Sequence, residues 1–186
     1  APRLDASLVA CLLLAALAAR AGDRVDLLAH DRHLRAYVTG GTGASLLPRL
    51  VEAMAPLQAS LVETDLQAVS HEVLTRVRAR SLVVLFTALD PAPVEQGLLP
   101  ALSALTARHT VMVAAVSGPA VAALAPGRAD AGVVYAAAAA ESALAGRRAV
   151  TQQLRRRGVE VVEAPPERLA PAVADAYLAL KAAGRL

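Results

Sequence analysis

Aromatic side chains are nearly missing from this chain of 186 residues, which has no Trp, one Phe and three Tyr. Proteins that bind single-stranded nucleic acid without sequence preference stack its bases on aromatic rings, and so few rings make a poor platform. A nucleic-acid partner is therefore not expected. Lysine is also scarce: Lys181 stands alone, and the formal charge of +3 is carried by arginine. Cysteine occurs once, as Cys11 inside an apolar helical run. One cysteine can form no internal disulfide, which fits a reducing compartment. The most apolar stretch, Leu8 to Ala19, is too short to cross roughly 30 Å of hydrocarbon. It also lacks the basic region that precedes a signal sequence. Pro2-Arg3-Leu4-Asp5 reads instead as the start of a buried helix, with Asp5 or Ser7 able to cap it. No methionine opens the chain, so the expectation is a processed protein or a fragment.

Apolar residues make up 56% of the chain, so its core must be built from Leu, Val and Ala. A chain of this length buries roughly 70% of its unfolded surface, enough for one continuous core. Asp5 to Arg20 reads as a helix. Val25 to Ala29 and Leu34 to Val38 read as short strands joined by the polar turn Asp31-Arg32-His33. Helices are predicted over Leu46 to Leu57 and Thr64 to Arg78, the second with apolar residues at Leu66, Val69, Val73 and Val77. Ser81 to Phe86 is apolar throughout, the mark of a parallel strand covered on both faces. A helix over Val94 to Arg108, a strand over Val111 to Val116 and a short helix over Pro119 to Ala125 follow. The remainder reads as a brief strand at Gly132 to Tyr135, a long helix from Ala136 to Arg157, a strand at Val159 to Glu163 and a last helix from Pro166 to Ala183. The alanine run Ala136 to Ala140 is plain helix propensity. Alternating buried strands and helices specify one α/β domain with a doubly wound, mostly parallel sheet.

Arginines are densest at Arg76/Arg78/Arg80 and at Arg147/Arg148 with Arg155/Arg156/Arg157. Cations favour the negative end of a helix macrodipole, which is the plain account of such groups. The sharper account is a docking patch for an acidic partner.

Two motifs suggest an enzyme. Thr39-Gly40-Gly41-Thr42-Gly43-Ala44-Ser45, between a strand and a helix, resembles the phosphate-cradling loop of short-chain dehydrogenases. Tyr177 and Lys181 have the Tyr-x-x-x-Lys spacing those enzymes use for proton transfer. Several features oppose an NAD(P)-dependent oxidoreductase. The third glycine would fall at Leu46, the loop does not follow the first strand of its unit, and no acidic residue ends a following strand to hold the ribose. The histidines His30, His33, His71 and His109 stand on different elements without zinc-ligand spacing. His109, between a helix and a strand, reads as a polar cap.

A resemblance covers almost the whole chain. Ala21-Gly22-Asp23-Arg24-Val25 leading into Leu27-Leu28-Ala29, the strand Ser81 to Thr87, Arg108-His109-Thr110-Val111 and the C-terminal Tyr177 to Leu186 together resemble bacterial domain-of-unknown-function family 58. That resemblance implies a von Willebrand factor A-like (Rossmann-like) fold over residues 1–186, truncated at its N-terminus so that its first central strand is missing. It implies a non-enzymatic protein-interaction domain at the cytoplasmic face of the membrane. The parent would be membrane-anchored and would partner an AAA-type ATPase.

The fold further implies a metal-ion-dependent adhesion site at the carboxyl ends of the strands, with oxygen ligands from three loops. The Asp-x-Ser-x-Ser run of the first loop has no counterpart in this chain. Thr64, in Glu63-Thr64-Asp65-Leu66, matches the second loop's threonine. Ala88 stands where the third loop has aspartate, with Asp90 two positions on. The implied site is degenerate: Thr64 and Asp90 are the only candidate metal ligands, Mg is implied only for complete relatives, and no cofactor is expected. Thr64 also suits the role of N-cap, with Asp65 in the first turn. In this fold the missing strand would lie between Val25 to Ala29 and Ser81 to Phe86, which should then stand apart rather than pair.

Overall fold

The computed structural model describes residues 2–41, 43–59, 62–118 and 131–186. Helix α1 (Pro2–Arg20) begins with Pro2 rather than at Asp5, because proline's fixed φ suits a first helical turn. Ser7 consequently lies inside the helix and donates its hydroxyl to Arg3 O at 3.0 Å. Strands β1 (Val25–His30) and β2 (Leu34–Gly41) form an antiparallel pair whose register joins Leu28 to Tyr37 and Val25 to Gly41. The strand therefore continues through the first part of the glycine run, which was expected to be a loop. Thr42 lies outside the described residues.

Helix α2 (Leu46–Met54) follows a single 3-10 turn and buries Leu46, Leu50 and Met54. Helix α3 (Leu66–Arg76) is capped by Asp65, whose carboxylate accepts from Ala68 N–H at 2.8 Å. The cap is thus one residue later than the expected Thr64. Strand β3 (Leu82–Phe86) leads to α4, the single helical turn Pro91–Pro93. A π-helical turn, Val94–Leu98, and α5 (Leu99–Arg108) continue it to β4 (Thr110–Val116). Helix α6 (Ala131–Arg156), strand β5 (Glu160–Ala164) and helix α7 (Pro166–Ala182) complete the order. The expected strand at Gly132 to Tyr135 is instead the opening of α6. The expected helix at Pro119 to Ala125 lies outside the described residues.

Strands β3, β4 and β5 form a parallel sheet in that order, and β1–β2 is a separate two-stranded sheet. Side chains alternate across the parallel sheet as the strand period requires. Val83, Leu85, Val111, Val113, Ala115 and Val161 face one way and pack with α3, α5 and α6. Met112, Ala114, Val116 and Ala164 face the other way, onto Ala10 of α1 and Leu169, Val173 and Leu180 of α7. The mixed α/β class with helices on both faces is as expected.

The same helices also cover β1–β2. Helix α1 gives Ala10 to the core beneath the parallel sheet and Ala15 to the cluster that holds Val38, Leu46 and Leu50, with Val25 and Leu27 packed on it. On the opposite face, Leu28 packs with Leu74 and Val77 against the core of Val83 and Leu85.

Candidate functional site

Tyr177 and Lys181 share one face of α7, being four residues apart. The structure adds a member that sequence spacing does not reveal: Asp23, in the bend between α1 and β1. Its Oδ2 accepts from Tyr177 Oη at 2.7 Å and from Lys181 Nζ at 2.7 Å, and Lys181 Nζ is 3.2 Å from Tyr177 Oη. Lys181 and Tyr177 hold the Asp23 carboxyl below its ordinary range. Burial, then the hydrogen bond to Asp23, pushes the Tyr177 phenol up. Lys181 is held up by Asp23 and by Tyr177. Each group is thus stabilised in its ordinary state, opposite to the lowered phenol that proton transfer at neutral pH would use.

Location bears on the same question. Asp23 precedes β1, and Arg185 O, just past α7, accepts from the hydroxyl of Thr110, the first residue of β4, at 2.9 Å. The trio therefore sits at the amino ends of β1 and β4, whereas open α/β sheets bind ligands beyond the carboxyl ends. The Gly40 amide, one of those proposed to cradle phosphate, donates to Asp26 Oδ1 at 2.6 Å. Gly40 and Gly43 have φ of 68° and 72°. Leu46, at the third-glycine position, is fully buried.

At the carboxyl ends the central group is Arg147, which sequence reasoning noted only as part of a basic run. Its side chain is 17% exposed, with Nη2 3.5 Å from Asp90 Oδ1 and Nη1 3.9 Å from Glu163 Oε1. Arginine's fork can span two carboxylates that a point cation could not address separately. Asp90, proposed as a metal ligand, stands just ahead of Pro91 and faces this guanidinium. Thr64 is exposed beside Asp65, whose backbone N–H donates to Asp31 O at 3.1 Å just past the end of β1. Thr64 thus lies at the carboxyl end of β1 and Asp90 beyond the carboxyl end of β3, and no hydrogen bond joins them among the described residues. Nor do the described residues contain a group of three or more His, Cys, Asp or Glu able to hold a metal.

The histidines do not converge. His30 Nδ1 is 2.7 Å from Asp31 O, while Asp31 Oδ1 accepts from the backbone of His33. His109 is 2% exposed, and neither ring nitrogen has a partner among the described residues. It ends α5 through its backbone N–H to Leu105 O, not through the side-chain cap expected of it.

Fold and site define an α/β domain with a doubly covered parallel sheet, an internally paired polar trio at its amino end and an arginine-centred cluster at its carboxyl end. The family model described as "Protein of unknown function DUF58" matches residues 3–160, and the chain belongs to that family. The match ends before α7, so Tyr177 to Leu186 lies outside it. No curated protein and no solved structure matches the chain. No described helix is long and apolar enough to cross a membrane.

Proposed function

We propose that this domain is a non-catalytic protein-interaction module of von Willebrand factor A-like topology, with room for one further strand between β1 and β3. Its membrane-anchored parent works with an AAA-type ATPase at the cytoplasmic face. The observation that carries the topology is the shared helical cover. Helix α1 lies under both sheets and Leu28 enters the same core as Val83 and Leu85, yet β1 and β3 are not paired. The order β2–β1, break, β3–β4–β5 is the one that a further central strand would complete.

The non-catalytic reading draws on the two ends of the sheet. Asp23 already occupies Tyr177 and Lys181, and Asp26 already occupies the Gly40 amide. At the carboxyl end the guanidinium of Arg147 supplies Asp90 with the positive charge that a divalent ion would bring, and Ala88 offers no oxygen ligand. This is the degenerate form of a metal-ion-dependent adhesion site. The ATPase and the membrane-anchored parent come from the family resemblance.

The test combines thermal unfolding with partner binding. NADPH and Mg²⁺ should leave the melting temperature unchanged, while a purified AAA-type ATPase from the same genome should co-elute with the domain. A dinucleotide at about a hundred times its Kd would stabilise the fold by roughly 2.7 kcal/mol. Such a rise with NADPH overturns the non-catalytic reading, and failure to co-elute with the ATPase overturns the partner.

A further inference from the structure

The basic run of α6 forms one side of an open cleft. Its volume is about 580 Å³, within the roughly 300–1,000 Å³ of ordinary ligand sites. Arg147, Arg148, Thr151 and Arg155 line it from the helix, and Val161 and Glu163 from β5. Intervals of three, four and seven residues place these four side chains along one stripe of α6, beside the core-facing Val150 and Leu154. Macrodipole stabilisation fades within the last turn. It accounts for Arg155 and Arg156 but not for Arg147 and Arg148, which lie farther back. Arg148 has no ion pair among the described residues, so Glu163 leaves the cleft with an excess of positive charge.

The other wall is a strand edge. Ala164 O accepts from Ser117 N–H at 2.8 Å, so Glu160, Val162 and Ala164 turn their backbone groups toward β4, and Val161 and Glu163 turn theirs outward. Arg155 Nη2 bonds that outward Val161 carbonyl at 3.4 Å. No strand pairs with this edge among the described residues. The Thr151 hydroxyl, buried within the same lining, has no hydrogen-bond partner among them. Two independent features therefore coincide: a strand edge that no other strand pairs with among the described residues, and a row of arginines along it.

We propose that this cleft docks an extended acidic peptide, which adds as a strand to the open edge of β5 and places carboxylates against Arg148 and Arg155. Strand addition takes affinity from main-chain hydrogen bonds and specificity from alternate side chains. Arginine supplies the bidentate partner for a carboxylate. Arg148 and Arg155 are about 10 Å apart along the helix axis, and their long flexible arms can close that gap onto carboxylates two residues apart, about 7 Å, on one face of an extended chain. On binding, Arg155 exchanges the Val161 carbonyl for a peptide carboxylate, and a peptide N–H takes its place. The proposal does not rest on the strand position between β1 and β3.

Fluorescence anisotropy with the whole domain tests it, using a labelled octapeptide that alternates Glu with Val, its Lys-for-Glu counterpart and a version N-methylated at alternate amides. The acidic peptide should bind, and R148A/R155A, both at exposed positions, should weaken it by at least about tenfold with an unchanged circular dichroism spectrum. N-methylation in the pairing register should weaken binding comparably without altering the protein. Inorganic pyrophosphate should compete poorly. Equal binding of the N-methylated peptide, strong competition by pyrophosphate, equal binding of the basic peptide or no binding at millimolar concentration would each overturn the proposal.

Discussion

Tyr177 and Asp23 lie 154 positions apart in sequence and are joined by a 2.7 Å hydrogen bond that ties the last helix to the first helix–strand junction. Tyr177 is 3% exposed, so its ring is buried while its hydroxyl is anchored by Asp23. Tyr177→Phe keeps the ring and removes the bond. Half-exposed Asp23 can recover water, so the expected loss is about 0.5–1.5 kcal/mol, that of an ordinary hydrogen bond. Chemical denaturation of the variant measures it, and an unchanged midpoint would refute the anchoring role. Because the Asp23 carboxyl is held below its ordinary range, its contribution is complete above the unfolded-state value and fades as pH falls through the folded one.

His109 gives a pH dependence at a higher range. Burial, followed by the nearby charges of Arg108 and Arg80, pushes its imidazole below the ordinary 6.5. The unfolded chain therefore takes up a proton at a pH where the folded chain still resists it. Stability associated with His109 is full above about pH 6.5 and declines as pH falls from there toward the lower folded value. Melting curves from pH 7.5 to 5 should show wild type losing more stability than His109→Leu. Parallel curves would show that His109 is not the sensor.

Cys11 is a third local test. Burial pushes its thiol up to about 11 from an ordinary 9.0, and only the thiolate is a strong nucleophile. The thiolate fraction at pH 8 is then about a hundredfold below that of the free side chain. Labelling by a maleimide should be slow in the native protein and become rapid in denaturant. Rapid native labelling would place Cys11 in solvent rather than against α2.

Gly146 tests the approach of α6 to the turn after β3. A Cβ built there would meet Pro91 Cγ at 2.9 Å. In an open helix Gly→Ala gains about 1 kcal/mol of helix propensity. Here the methyl group must displace a proline ring, so Gly146→Ala should lower the melting temperature. Pro91→Ala should relieve the clash, making the double variant more stable than Gly146→Ala alone. Ordinary stabilisation by Gly146→Ala would mean that the two elements are not in contact.

What could be read from sequence follows the range of the interactions involved. Ser81 to Phe86 and Val111 to Val116 were legible as parallel strands because burial on both faces leaves an uninterrupted apolar run. Leu66, Val69 and Val73 gave α3 through their period. Gly132-Val133-Val134-Tyr135 misled because its β-branched residues suggest a strand, whereas the alanine run after them extends the helix back through it. Gly40 and Gly41 misled because an antiparallel edge strand tolerates glycine. Tyr177 and Lys181 were visible as neighbours on a helix, but Asp23 and the pairing of Arg147 with Asp90 and Glu163 arise only from tertiary contacts between distant segments. No local pattern encodes them.

The break between β1 and β3 can be read residue by residue from amide exchange. Thr110 N–H donates to Ser81 O at 3.0 Å, and Thr87 N–H donates to Ala114 O at 3.1 Å. In a parallel ladder alternate residues address one neighbour, so Val83 and Leu85 also turn their backbone groups to β4. Leu82, Val84 and Phe86 must aim theirs at the side of β1, where no strand receives them among the described residues. Amides of Val83 and Leu85 should therefore exchange slowly, near the rate set by global unfolding, while those of Leu82, Val84 and Phe86 exchange through smaller openings and faster. The alternation separates an unfilled edge from a merely loose strand, because a frayed strand would lose protection at all five positions. Uniformly slow exchange across Leu82–Phe86 would mean that the inner edge is already paired, and the place proposed for a further strand between β1 and β3 would be lost.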